Sequence, residues 1–141
     1  MKKITELENV SKTKTLNFVL LSIITGGVYP LMWMFRYGKG IEKITNQKIA
    51  DDLFIIILAA SVGLSYVLKT QGVQSLVMVS GVMSIVSWAM YISWSFKAKT
   101  AIEKYLLSEH DMPLKLNTLY TILFTVYYIN FSMNKLAEEQ Q

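Results

Sequence analysis

The sequence has no cysteine, one histidine and two prolines. Without thiols there is no disulfide, no thiolate metal site and no cysteine nucleophile. The histidine, His110, stands in Glu109-His110-Asp111, whereas a zinc site needs three or four rigidly held ligands. These residues are read as solvated, and no metal or cofactor is expected. Charge is also scarce: 17% of residues are Asp, Glu, Lys or Arg, against about a quarter in a soluble domain. No glycine-rich phosphate loop is present. Asp51-Asp52 suits the positive end of a helix dipole better than a catalytic pair, because no nucleophile or base accompanies it.

Four long stretches hold no Asp, Glu, Lys, Arg or His: 16–35, 53–68, 73–96 and 116–133. Proton-coupled transport, voltage sensing and intramembrane hydrolysis need ionisable groups at depth. The sequence therefore predicts no enzyme and no catalytic residue. Hydrophobic residues make up 52% of the chain, and the mean hydropathy is +0.36. A helix of about 20 apolar residues crosses a bilayer. The expected fold is all-α, a polytopic membrane protein with about four membrane-embedded helical segments. Lys69-Thr70-Gln71-Gly72 is a tight turn that makes the second and third segments antiparallel.

The connections 36–52 and 97–115 are charged but carry apolar residues at helical spacing: Ile41, Ile44 and Ile49 in one, Ala98, Ile102, Tyr105 and Leu106 in the other. They are read as helices lying on, or projecting from, the membrane surface. One membrane domain spans 1–141, with a basic tail 1–15, hairpins 16–68 and 73–133, and a C-terminal tail 134–141. A signal peptide is disfavoured at the N-terminus, because no small-x-small site follows the apolar core.

An internal similarity supports two duplicated hairpins. Trp33-Met34-Phe35-Arg36 aligns with Trp94-Ser95-Phe96-Lys97, and Gly40-Ile41-Glu42-Lys43 falls on Ala101-Ile102-Glu103-Lys104 at the same offset. Trp33, Phe35, Arg36, Trp94, Phe96 and Lys97 read as interface anchors, since aromatic rings favour the membrane boundary and a cation follows at headgroup level.

Positive charge marks the cytoplasmic side. Eight basic residues lie in the two connections: Arg36, Lys39, Lys43, Lys48, Lys97, Lys99, Lys104 and Lys115. If all four segments cross, Lys2, Lys3, Lys12, Lys14, Lys69 and Lys135 oppose them, which is close to a tie. If the first segment enters and returns, only Lys69 and Lys135 stay outside; if the fourth also returns, Lys69 alone does. Gly26, Gly27 and Pro30 supply a place for the first segment to break or kink. Re-entry and a kinked crossing both remain open. Both put the connections 36–52 and 97–115 in the cytoplasm.

Within the segments the polar groups are mild. Ser80, Ser84 and Ser87 share a face of the third segment, and Ala59 and Gly63 are four apart in the second; such small residues suit close helix packing. Asn17, Asn117 and Asn130 lie near segment ends, placed to bond freed backbone groups or neighbouring helices.

The run Ile23-Ile24-Thr25-Gly26-Gly27-Val28-Tyr29, followed by Trp33-Met34-Phe35-Arg36, resembles the small bacterial membrane proteins grouped as a domain-of-unknown-function family (number four-two-three-four). Thr125-Val126-Tyr127-Tyr128-Ile129-Asn130-Phe131 with Asn134-Lys135-Leu136 is similar to another element of that group. Val28 replaces the usual Ile, and Pro30 is atypical. The resemblance implies a bacterial inner membrane setting and a helical fold, and it brings no catalytic residue.

Three functions fit, in this order. The first is a non-enzymatic accessory or scaffold protein that packs in the bilayer and meets a protein partner or lipid through basic cytoplasmic helices. The second is a small channel or carrier built as a homo-oligomer, with the serine face lining it. The third is a membrane-shaping or lipid-binding protein. The net charge of +4 is assigned to lipid headgroups and not to nucleic acid.

Overall fold

The computed structural model describes residues 10 and 13–138. Most of the tail 1–15, with Lys2, Lys3 and Lys12, lies outside the described residues, as do residues 139–141 of the C-terminal tail. Among the described residues there are five helices and no strand: α1 (Thr15–Ile24), α2 (Val28–Thr45), α3 (Asp52–Thr70), α4 (Gln74–His110) and α5 (Thr118–Glu138).

The first apolar stretch is two helices, because the backbone between them is left-handed at Gly26 (φ 58°) and Gly27 (φ 88°), a conformation glycine takes without Cβ strain. The turn satisfies its own amides. Gly26 N donates to Ile23 O and Gly27 N to Ser22 O, at 3.1 and 2.8 Å. Val28 N donates to Thr25 O at 3.3 Å, and Tyr29 N to Thr25 Oγ1 at 3.0 Å. Pro30 is the third residue of α2 and has no N–H to satisfy. A helix start normally leaves amides that need water or a cap; here the chain supplies every partner through these three positions.

The α3–α4 turn uses a third left-handed glycine, Gly72 (φ 68°). The helices ending at Thr45 and His110 stop at left-handed Asn46 and Asp111 (φ 52° each), the residue types that bear this conformation best after glycine. Asn117 starts α5: its Oδ1 accepts from Leu119 N and Tyr120 N at 2.9 and 3.2 Å.

The last apolar stretch also reverses. Thr125 is non-helical (φ 42°, ψ −119°) in the middle of α5. Tyr128 Oη accepts from Asn117 N at 2.9 Å, although residues eleven apart in a straight helix lie about 16 Å apart along the axis. The Tyr120 and Tyr128 rings stand 5.7 Å apart. The two halves of α5 therefore fold back on one another about Thr125.

Burial divides the molecule into two ends. Trp33, Met34, Ile41, Ile49, Trp94, Ala98, Ile102, Leu106 and Ile129 are at most 1% exposed and form one apolar core. They come from α2, the second half of α4, the second half of α5 and the segment before α3. At the other end, α3 and the first half of α4 pack mainly on each other. Both are long and apolar enough to cross a membrane, and only 11% of each apolar window is buried. A soluble core helix of that composition would be mostly buried. Ile56, Leu64, Val67, Met78, Val82 and Ile85 instead face outward, a continuous apolar surface of the kind that marks contact with lipid or another protein.

Candidate functional site

The two reversals meet. An open groove of about 720 Å³ is lined on one side by Ser22, Ile23, Gly27 and Pro30 of the α1–α2 turn and on another by the residues 123–127 around the α5 reversal. Its floor is Val62 of α3 with Trp88 and Tyr91 of α4. Val62 lies about 15 Å along α3 from Asp52, and Trp88 about 13 Å along α4 from Lys97, at 1.5 Å per residue. The two apices thus sit level with each other, halfway along the apolar part of the α3–α4 pair.

The feet of the folded-back segments also meet, at the opposite end from the groove. Asn130 and Asn134 each donate through Nδ2 to Thr13 O at 3.1 Å, and Asn134 Nδ2 reaches Thr15 Oγ1 at 3.0 Å. Thr13 Oγ1 and Tyr29 Oη are 3.2 Å apart. Between these feet and the groove, Phe18 sets its ring edge against Trp33 (5.4 Å) and groove-lining Tyr127 (5.0 Å). At the other foot of α5, Lys99 Nζ donates to Thr118 Oγ1 at 2.8 Å and lies 4.0 Å from Glu103. Lys99 is only 9% exposed, so its ammonium depends on these partners and on the Phe96 ring 5.7 Å away. All four ends of the two broken segments therefore lie at one level, beside the packed core.

The two copies of the Ile-Glu-Lys motif act alike. Ile41 and Ile102 are both fully buried. Glu42 Oε1 accepts from Ile49 N and Ala50 N at 2.7 and 2.9 Å, just before α3. Glu103 Oε1 accepts from Leu116 N at 2.7 Å, just before α5. Each carboxylate holds the chain where it turns into the next apolar helix. Asp51, by contrast, makes no side-chain cap bond on α3; it pairs with Lys48, whose ammonium is raised above its ordinary value by that hydrogen bond and charge. Asp52 pairs with Lys39 at 2.8 Å.

The residues singled out from sequence fall in different places. Trp33 and Trp94 turn inward, each 1% exposed, with ring centres 6.1 Å apart and nearly perpendicular. Their large apolar faces fill the gap between α2 and α4, so they anchor the core and not an outer boundary. Phe35 is half exposed, Phe96 is partly buried, and Arg36 and Lys97 are exposed. Ser80 and Ser87 are buried and Ser84 is exposed. Their hydroxyls donate back to Val77, Met83 and Ser80 carbonyls at 2.7 to 2.9 Å. Ala59 and Gly63 face outward, and nothing lies within 4 Å of a Cβ built on Gly63. His110 packs edge-on against Tyr105 at the end of α4.

Thr25, Thr125, Glu42, Glu103 and Asn134 carry more of the arrangement than the sequence reading assigned to them. The repeated Ile-Glu-Lys was the available signal for the two glutamates. Residues 13–104 match the model of a family described as a domain of unknown function (DUF4234). The match covers more than half of the chain, and the protein belongs to that family. No curated protein matches the chain, and no solved structure does.

Proposed function

We propose that this DUF4234 protein is a non-enzymatic integral membrane scaffold or accessory protein. On this reading α3 and α4 alone cross a cytoplasmic membrane, bacterial inner membrane included, and α1–α2 and α5 enter and return from the basic side. The observation that carries the reading is the shared level of the four feet: Thr13 with Asn130 and Asn134, and Lys99 with Thr118. Re-entry leaves Lys69 as the one basic residue on the far side, in line with the charge rule for cytoplasmic faces. Re-entrant backbone needs protein cover and satisfied amides; the Thr25–Pro30 turn and the packing of α1 on α2 and α5 meet that need.

The scaffold role rests on the packed end. The core around Trp33 and Trp94 holds α2 and the projecting half of α4 rigidly, while Lys39, Lys43, Lys97 and Lys104 stay exposed on them. This is a fixed cationic platform, suited to an acidic protein surface at the membrane face. The four segments form one domain, with 16–68 and 73–133 as duplicated hairpins.

Single cysteines at Lys14, Glu42, Gln71, Glu103 and Lys135, probed with an impermeant thiol reagent on intact cells, test the topology. Labelling at 71 alone is expected; labelling at 14 or 135 would mean that an end segment crosses. The chain purified from its native membrane is expected to carry one partner in fixed stoichiometry, lost on Lys43→Glu with Lys104→Glu. Recovery as a lone species defeats the scaffold assignment.

A further inference from the structure

We propose that the molecule is a single-leaflet wedge: it displaces more lipid from the basic-side leaflet than from the opposite one and bends the bilayer toward the basic side. This rests on the membrane reading above and goes beyond it.

The two halves of the apolar layer differ in helical cross-section. In the half of the apolar layer next to the packed core, six helical rods stand side by side: α1, α2, the two halves of α5, and one half each of α3 and α4. In the other half only α3 and α4 continue, and each is exposed there on most of its surface. A helix with side chains is about 10 Å across, so each rod occupies roughly 80 Å². Six rods against two leave a difference on the order of 300 Å² per chain. The groove between the apices and Trp88 is the step where the wide layer ends.

The depth of the step has the right size. From the apices, α1 runs ten residues down to Lys14, α2 eight residues to Arg36, and α5 ten residues to Lys135. Each is about 12 to 15 Å at 1.5 Å per residue, half of a hydrocarbon core of about 30 Å. Ile23, Ile24, Leu123 and Phe124 are exposed at or beside the apices, as a mid-plane position requires. Lys14, Arg36, Lys97, Lys115 and Lys135 are exposed at the feet, so the ring around the wide end complements anionic headgroups of the same leaflet. The occupant of the apolar flanks is thus the lipid of that leaflet.

The test reconstitutes the full chain into vesicles of phosphatidylcholine and phosphatidylglycerol at rising protein-to-lipid ratio, with an alkaline wash. Vesicle diameter is read by electron cryomicroscopy, and orientation by labelling a Gln47→Cys chain, Gln47 being exposed in the same connection. The expected result is a mean diameter that falls as protein rises, with the basic face outward on the small vesicles. Wash-resistant protein in vesicles of unchanged diameter overturns the wedge and leaves the membrane reading standing. Protein removed by the wash overturns both. A second measurement places a fluorophore on Ile24→Cys and on Phe124→Cys and reads depth with lipid-borne quenchers. Both sites are expected at the bilayer mid-plane; quenching at headgroup depth on the far side overturns the wedge.

Discussion

Replacing Thr25 by valine removes one oxygen from the α1–α2 turn and keeps the side chain close to its original shape. In the native turn that oxygen accepts from Tyr29 N at 3.0 Å and donates to Leu21 O at 2.7 Å. Leu21 O keeps the Thr25 amide at 2.9 Å as a donor, so the second bond is dispensable. With that oxygen gone, the nearest acceptor for the Tyr29 amide is Thr25 O, which already accepts from Val28 N. Losing a part-buried bond of this kind costs about 0.5 to 1.5 kcal/mol, which lowers the folding equilibrium constant roughly 2- to 13-fold. Thr25→Ser keeps the oxygen and is expected to stay near wild type. Reversible unfolding in mixed lipid–detergent micelles, followed by the fluorescence of buried Trp33 and Trp94, reads the difference. Equal stability of the valine and serine variants would refute the self-capped turn.

Thr125→Gly is expected to stabilise the protein by about 1 kcal/mol in the same assay, because a β-branched residue at φ 42° carries strain of that order that glycine lacks; a clear loss would mean the conformation is not strained. Gly27→Ala, at φ 88°, is expected to cost about 1 to 2 kcal/mol by the same steric rule, although space around a new Cβ is open. Trp33→Ala, in a side chain only 1% exposed, is expected to cost about 3 to 5 kcal/mol and to loosen α2 from α4, visible as faster hydrogen exchange along 33–45.

The helical class was legible because uncharged runs of this length leave little alternative, and the tight turn at Gly72 was written in the residues that make it. The family resemblance rested on residues 23–36, which lie inside the matched region 13–104, and on residues 125–136, which lie outside it. A helix over 97–110 also follows from periodicity, with Ala98, Ile102, Tyr105 and Leu106 on its buried side; that it runs unbroken from Gln74 does not. The reversal at Thr125 was not legible. Threonine is a poor choice for a positive φ, and no glycine or proline marks the place; the fold imposes it through the feet, where Lys99 holds Thr118 and Thr13 holds Asn134. The direction of Trp33 and Trp94 was hidden for a related reason. An aromatic beside a cation has the same local pattern whether it faces outward or fills a gap between helices, and only the approach of α2 to α4 at Gly38, whose added Cβ would lie 3.4 Å from the Trp94 ring, decides it.

The repeated glutamates suit the stepped shape proposed above. Glu42 and Glu103 each sit on a helix leaving the apolar layer, and each reaches forward to the backbone that re-enters it. Charge-assisted bonds to otherwise free amides are worth about 1.5 to 3 kcal/mol apiece. Glu42→Ala frees two amides and Glu103→Ala frees one but also exposes a buried charge, so each is expected to cost more than a single such bond. The consequences differ in kind. Loss of Glu42 releases the start of a helix that runs the full apolar length and is held along that length by α4, so its path survives. Loss of Glu103 also strips the buried Lys99 of its carboxylate neighbour, at the foot of a segment only seven residues long before it reverses. That segment has no length of its own to hold it, and Glu103→Ala is expected to raise hydrogen exchange across 116–124 while leaving 52–70 protected. Equal exchange in both regions would mean that α5 is secured by lipid and not by its foot.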